Sequence, residues 1–215
     1  MTRFIARQCV HAECRLRFPV AADSPLGETC PHCGSPTVAD REPYESHEAR
    51  AVAPPRPTGP EVMALLDNVR SLKNVGSMFR TADGAGVTHM HLAGFTPTPE
   101  HPALAKTALG AEKTVPWTLH RDGAAAAAWL ADAGHRLWAL EGGPRATPWF
   151  EALRDRTGPP IVLVVGHEVS GIDPRILDRC ERVLALPMLG MKGSLNVSVA
   201  FGVALYTLRF GTGTA

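Results

Sequence analysis

The sequence lacks a long hydrophobic run. No stretch of the 215 residues has the length and continuous apolar character of a transmembrane helix, and no segment resembles a signal peptide. We therefore expect no membrane span and a cytoplasmic location, in which the five cysteines remain reduced thiols.

The sequence also lacks a strong charge imbalance and a dinucleotide-binding motif. The 22 lysines and arginines nearly balance the 21 acidic residues, which leaves a formal net charge of +1. This balance excludes a strongly basic body, so any contact with RNA has to rest on local patches. No GxGxxG motif occurs, and a nicotinamide-binding fold therefore has no support.

What the sequence does contain is two close cysteine pairs near its start. Cys9 and Cys14 are followed, after fifteen residues, by Cys30 and Cys33. Two such pairs on separate turns place four thiolates around one point, as tetrahedral zinc requires. The alternative is four unrelated buried cysteines. We predict a zinc ribbon over residues 1–40, which needs its structural zinc to fold because its apolar core is thin: Phe4, Phe18, Val20 and Val38.

The remainder of the chain divides at a proline-rich stretch. Residues 41–60 are rich in proline and are predicted to be an extended linker. Residues 61–215 are predicted to form an α/β domain with a mostly parallel sheet, because apolar strands alternate with helices. Strands are expected at 62–66, 89–92, 137–140 and 161–165, and helices at 74–86, 124–133, from 173 to about 180, and 197–210. Asn74 is the predicted N-cap of the first of these helices.

The stretch from Leu184 to Phe210 combines a short strand, a broken loop and a long helix. Pro187, Gly190 and Gly193 prevent regular structure in the loop, which leaves backbone groups in need of a ligand. The helix has two apolar faces on opposite sides. The first comprises Val197, Ala200, Phe201, Ala204 and Leu208, and the second Val199, Val203, Tyr206 and Phe210. We interpret the second face as the interface of a homodimer; the alternative is a helix fully buried within one chain.

Three strand-to-helix junctions stand out in this order along the chain. The first junction runs from Asn68 to Ala82, and its motif is Asn74-Val75-Gly76 through Arg80 and Ala82 to Gly86. The motif of the second runs from Val165-Gly166-His167-Glu168 to Gly171, and that of the third from Leu186-Pro187-Met188 to Ser194-Leu195-Asn196-Val197-Ser198. Together they resemble the three motifs of the SpoU/TrmH family of RNA ribose 2′-O-methyltransferases. The resemblance covers about residues 61–210 and does not include the cysteine pairs.

The resemblance implies a SPOUT-type α/β domain with a C-terminal trefoil knot and a homodimer whose active sites take residues from both subunits. It implies methyl transfer from S-adenosylmethionine to a ribose 2′-hydroxyl of tRNA or rRNA. The resemblance also implies a set of residues that binds the cofactor: Gly166, Leu186, Met188, Gly190, Ser194 and Leu195. A second set forms the catalytic group: Asn74, Arg80, Glu168, Ser194 and Asn196.

The role of Arg80 has three interpretations. It is a solvated helix residue, a base that takes the hydroxyl proton, or a clamp on the neighbouring phosphate that also stabilises the developing alkoxide. A guanidinium is a poor base near neutral pH, and we favour the clamp. Two other functions stay open for the whole chain, namely methylation of an RNA base and RNA binding without catalysis.

Overall fold

A computed structural model of the chain describes residues 2–45 and 59–211, and the chain divides into two compact units, Met1–Pro55 and Arg56–Ala215. The division falls inside the predicted 41–60 linker, of which residues 46–58 lie outside the described residues. Across residues 2–45 and 59–211, no helix has the length and hydropathy needed to span a bilayer.

The first unit is a small antiparallel sheet. Its strands are β1 (Arg3–Cys9), β2 (Arg17–Ala21), β3 (Thr37–Ala39) and β4 (Tyr44–Glu45), and β1 pairs with each of the others. A 3-10 turn covers Pro25–Gly27. Strand β4 lies in the stretch that the sequence assigns to the linker, and its Tyr44 ring lies 6.3 Å from that of Phe4.

One predicted core residue of the ribbon is misplaced. Val38 is 52% exposed, whereas its neighbour Thr37 is buried. Successive side chains of a strand point to opposite faces, so only one of these two neighbours faces inward. Thr37 takes the inner position because its hydroxyl forms hydrogen bonds with the Arg7 guanidinium and the Gly27 carbonyl.

The second unit is built on one sheet, to which its described residues contribute seven strands. In chain order they are β5 (Val62–Asp67), β6 (Met90–Ala93), β7 (Trp117–His120), β8 (Arg136–Leu140), β9 (Thr147–Pro148), β10 (Ile161–Val165) and β11 (Arg182–Ala185). Their spatial order is β7-β6-β5-β10-β8-β11-β9, and every neighbouring pair is parallel. The predicted mostly parallel sheet is therefore confirmed.

Helices cover both faces of this sheet. They are α1 (Leu72–Ala85), α2 (Ala105–Ala108), α3 (Gly123–Asp132), α4 (Trp149–Ala152), α5 (Pro174–Leu177) and α6 (Val197–Phe210), with 3-10 turns at Ala111–Lys113 and Leu153–Asp155. Helices α1 and α6 pack on one face through residues such as Phe79 and Phe201, and α3 and α5 pack on the other through Leu130 and Ile176. Strands β5 and β10 are buried along their whole length, as two-sided coverage requires.

Two helix boundaries differ from their predictions. Helix α1 begins at Leu72, and its N-cap is Ser71, whose hydroxyl accepts a hydrogen bond from the Asn74 backbone N–H at 3.3 Å. Asn74 is therefore not the cap. Serine and asparagine both suit the N-cap position, and the helix already begins before Asn74, directly after Ser71. Helix α5 opens at Asp173 as predicted but ends at Leu177, short of Cys180.

Candidate active site

The three motifs follow β5, β10 and β11. The first lies on α1, the second in the loop after β10, and the third in the loop before α6 and the first turn of that helix. Strands β5 and β10 are adjacent and parallel, so the loops that leave their carboxyl ends meet at the same edge of the sheet. The loop after β11 leaves from that edge as well and leads into α6. Residues nearly 100 positions apart in sequence thereby come within hydrogen-bond distance.

Glu168, in the loop after β10, binds the segment just before the first motif and the first residue of that motif. Its carboxylate accepts hydrogen bonds of 3.0 Å from three donors, the backbone N–H groups of Arg70 and Ser71 and the side-chain amide of Asn74. Burial raises the pKa of Glu168, but these hydrogen bonds outweigh it, and the pKa lies below the usual 4.5. Glu168 is therefore an ionised anchor and not a proton donor at neutral pH.

Asn74 extends this connection to the third motif. Its amide oxygen accepts a hydrogen bond of 3.1 Å from the Asn196 side-chain amide, while its own NH₂ group donates to Glu168. The Asn196 oxygen accepts from the Ser198 hydroxyl at 2.7 Å and also caps α6. These four residues form what we call the polar network, and both ends of the Asn74 amide are used in it. The structure thus brings together three predicted catalytic residues, Asn74, Glu168 and Asn196.

A cavity of about 420 Å³ lies beside the polar network. Five of the six predicted cofactor residues line it: Gly166, Leu186, Met188, Ser194 and Leu195. Gly190 does not line it, and a Cβ atom added there would meet nothing within 4 Å. The structure therefore gives no support to Gly190 as a cofactor-binding residue.

The close approach occurs at Gly166 instead. A Cβ atom on Gly166 would lie 2.4 Å from the carbonyl carbon of Gly171 and 2.5 Å from the backbone nitrogen of Ile172. Two backbone hydrogen bonds between His167 and Gly171 hold this turn closed. A side chain at position 166 would therefore displace the backbone that forms the cavity wall.

Glu141 is a cavity residue that the sequence analysis missed. It follows β8, and its carboxylate accepts a hydrogen bond of 2.9 Å from the backbone N–H of Ile172. Gly171 has a φ of +75°, and a Cβ atom there would lie 2.6 Å from the Glu141 carboxylate. The available signal was an acidic residue directly after an apolar strand and before Gly142-Gly143, outside all three motifs.

Two predicted catalytic residues do not join the polar network. Arg80 is exposed, and it lies six residues, or about 9 Å, further along α1 than Asn74 and on another side of the helix. Within residues 2–45 and 59–211, it forms no hydrogen bond or ion pair. Ser194 is exposed and lines the cavity.

The four cysteines of the first unit lie together. Their sulfur atoms are all within 4.8 Å of one another, with 3.5 Å between Cys9 and Cys33 and 3.7 Å between Cys14 and Cys30. These separations are far longer than the roughly 2 Å of a disulfide and match the spacing of ligands around a tetrahedral metal ion. Hydrogen bonds from Ser35 lower the pKa of Cys33 to about 6, whereas burial raises the pKa of Cys9 to about 12.

Comparison with known proteins places this geometry in a family. Residues 61–206, which hold the whole polar network and the cavity, match the SpoU rRNA Methylase family. The chain belongs to this family. The predicted resemblance is therefore confirmed over residues 61–206.

Two curated relatives illustrate the range of the SpoU family. The chain is 33% identical over 152 residues to the 23S rRNA (guanosine-2′-O-)-methyltransferase RlmB of Pseudomonas syringae, covering 70% of this chain and 59% of that protein. It is also 33% identical over 166 residues to the tRNA (guanosine(18)-2′-O)-methyltransferase of Thermus thermophilus, covering 77% and 83%. The chain thus spans less than two thirds of the length of the first relative.

Solved structures share the fold. An AdoMet-bound rRNA methyltransferase from Sinorhizobium meliloti superposes with a TM-score of 0.65 at 26% identity, covering 72% of this chain and 57% of that one. The α/β fold with its mostly parallel sheet is therefore that of SPOUT methyltransferases, while the trefoil knot stays a prediction.

Proposed function

We propose that this chain transfers a methyl group from S-adenosylmethionine to a ribose 2′-hydroxyl of RNA. The observation that carries the proposal is the polar network, which joins one residue from each motif beside a cavity of suitable size. The names of the relatives, which act on 23S rRNA and on tRNA, support RNA as the substrate.

The cavity fits S-adenosylmethionine in two respects. Its wall includes the loop before α6, where the backbone of residues 188–195 forms no hydrogen bond with the described parts of the chain. Those free groups and the close turn at Gly166 suit a ligand that both donates and accepts hydrogen bonds. We assign cofactor binding to the cavity-lining set: Gly166, Leu186, Met188, Ser194 and Leu195. When bound, the cofactor supplies an electrophilic methyl group.

The polar network orients the reacting groups. Glu168 fixes the Asn74 amide, and Asn74 in turn fixes Asn196 at the mouth of the loop. Preorganised polar groups of this kind hold a ribose hydroxyl in line with a methyl donor without reorganising during the reaction. Arg80 then binds the neighbouring phosphate and stabilises the alkoxide as the hydroxyl gives its proton to solvent water.

Within one chain Arg80 lies away from the polar network, and we propose that it acts in the site of the partner chain of a homodimer. The second apolar face of α6 remains exposed in the single chain, through Val199, Val203, Tyr206 and Phe210. Helix α6 lies beside α1, since a Cβ atom on Gly84 would lie 2.7 Å from the Tyr206 hydroxyl. Pairing of two chains across this surface carries the exposed side of α1, with Arg80, toward the partner's site.

For the first unit we propose one structural zinc ion bound by Cys9, Cys14, Cys30 and Cys33. The sulfur separations and the tetrahedral preference of zinc support this assignment. We assign the zinc ribbon to residues 1–40, the linker to 41–60 and the methyltransferase domain to 61–215. The ribbon serves RNA recognition, with a purely structural role as the alternative.

Methyl transfer to unmodified RNA tests the proposal. The purified chain is incubated with isotopically labelled S-adenosylmethionine and with tRNA or 23S rRNA transcripts, and the product is digested to nucleosides. Label in a 2′-O-methyl nucleoside is the expected result. Label in a base-methylated nucleoside favours the base methyltransferase, and cofactor-independent RNA binding without label favours the silent binder.

A further inference from the structure

A large aromatic side chain stands exposed beside the polar network. Phe95 lies just beyond the carboxyl end of β6, and 59% of its surface is exposed. Its ring meets the ring of His167 edge-on, with 5.8 Å between the centroids and 86° between the planes. His167 adjoins Glu168 and lines the cavity, so Phe95 borders the proposed reaction site.

The loop that carries Phe95 is held firmly from both sides. Gly94 has a φ of +63°, and a Cβ atom there would lie 2.0 Å from the Asn68 side-chain oxygen, which accepts a hydrogen bond from the Phe95 backbone N–H. The buried Thr96 hydroxyl donates to the Ala93 carbonyl at 2.8 Å and accepts from the Val69 N–H at 3.1 Å. An exposed ring on so fixed a loop loses little conformational entropy when it binds a ligand.

The His167 ring is fixed as well. Its Nδ1 atom accepts hydrogen bonds from the backbone N–H groups of Val169 at 3.0 Å and Ser170 at 3.1 Å. In the neutral ring the proton therefore lies on Nε2, which bonds to no residue within the described ranges. His167 thus offers a directed donor next to the exposed ring of Phe95.

We propose that Phe95 and His167 bind the nucleobase of the nucleotide that is methylated. The base stacks on the exposed surface of Phe95, and a ring nitrogen or carbonyl oxygen of the base accepts from His167 Nε2–H. An aromatic face and a single donor beside a ribose site match a nucleobase, whose flat face stacks and whose edge accepts hydrogen bonds. The assignment rests on the proposed RNA 2′-O-methylation, and it requires a target outside a duplex.

Alanine substitution at Phe95 tests the stacking. We expect Phe95→Ala to raise the KM for RNA by about 5- to 150-fold, the fold-change that corresponds to one stacked base. The cofactor Kd and kcat should stay at wild-type values, and Phe95→Trp should restore the KM. Phe150→Ala is the matched control, because Phe150 is 48% exposed and lies on α4.

A conservative change at His167 tests the donor. His167→Asn keeps an acceptor for the two backbone N–H groups but removes the Nε2 donor. We expect this variant to lose discrimination between transcripts that differ only in the target base.

The outcomes separate this inference from the function on which it rests. If the wild-type chain methylates no ribose, the proposed function falls and the base site with it. If the wild-type chain is active and Phe95→Ala has the same KM for RNA as Phe150→Ala, the base site is overturned while the function stands.

Discussion

Glu168 shows how much one carboxylate can organise. It accepts three hydrogen bonds from residues 70–74, and hydrogen bonds to charged groups are among the stronger ones in proteins. Because they hold its folded pKa below 4.5, its stabilising contribution is fully present above pH 4.5. The contribution is lost as the pH falls through the folded pKa.

We expect Glu168→Gln to lower the free energy of unfolding by about 1 kcal/mol at neutral pH, since an amide offers one acceptor oxygen to three donors. The difference from wild type should shrink at a pH below the folded pKa, where the wild-type carboxyl is itself protonated. Urea unfolding at both pH values measures it. Glu100→Gln, at an exposed position, serves as the control. An equal loss at both pH values contradicts the pKa assignment.

Substitution of Arg80 tests whether this residue is only solvated or takes part in the proposed methyl transfer. We expect Arg80→Ala to reduce turnover by about a hundredfold or more, as removal of a transition-state donor does. The Kd for S-adenosylmethionine should not change, because Arg80 does not line the cavity. Unfolding free energy should stay within about 0.5 kcal/mol. Radiolabel transfer and calorimetry measure these quantities, with the exposed Arg154→Ala as control. Wild-type turnover in Arg80→Ala would show that Arg80 is only a solvated helix residue.

Arg80→Lys distinguishes the clamp from the base. Lysine keeps the charge but loses the planar two-pronged geometry, so a clamp predicts partial activity with weaker RNA binding. A base predicts unaltered RNA affinity and a shifted pH dependence of turnover. Turnover measured across pH, together with RNA affinity, decides between them.

At the scale of elements, α6 has one buried apolar face and one exposed apolar face. Its first apolar face packs against the sheet through Phe201, Ala204 and Leu208, whereas Val199 and Val203 on the second face are exposed.

We expect Val203→Glu to convert a dimer into a monomer, because a charge in an apolar interface is costly to bury. Sedimentation equilibrium at micromolar concentration measures the assembly. Val38→Glu, also at an exposed valine, should have no effect on it. A monomeric wild-type protein would contradict the interface.

The elements that the sequence predicts best are those with strong local signals. The ends of α6 agree to the residue, because Asn196 caps a long apolar helix, and β10 agrees because five apolar residues follow one another. Strand β7 was missed because its Thr118 and Leu119 are exposed and carry no apolar pattern, and β9 because it has two residues.

The sequence predicts site residues within the three motifs but not outside them. The three motifs led to the residues of the polar network, but only the folded sheet shows that Asn74 bonds to both Glu168 and Asn196. Glu141 and Phe95 lie outside the motifs, and their place beside the site follows from the strand order alone. Local propensity carries no information on such long-range neighbours.

At the scale of the whole molecule, the two units differ in what holds them together. The second unit has a large buried core, whereas the first is held together, in our proposal, by a zinc ion bound to its four cysteines. We expect one zinc ion per chain by elemental analysis, lost in Cys14→Ser/Cys30→Ser and kept in Cys180→Ser. Zinc loss should weaken RNA binding and leave the cofactor Kd unchanged. Protein purified without chelator that contains no zinc would contradict the assignment.

The pairing of Asn74 with Asn196 across 122 residues has a kinetic consequence. Every bond of the polar network that joins two motifs closes a loop of more than 90 residues, and such loops are entropically costly to form before the sheet exists. Domains dominated by distant parallel pairings refold in milliseconds to seconds and not in microseconds. The growing chain therefore has no partial version of the site: the proposed methyl transfer requires that residue 196 has been synthesised and that strands β5, β10 and β11 have joined the sheet.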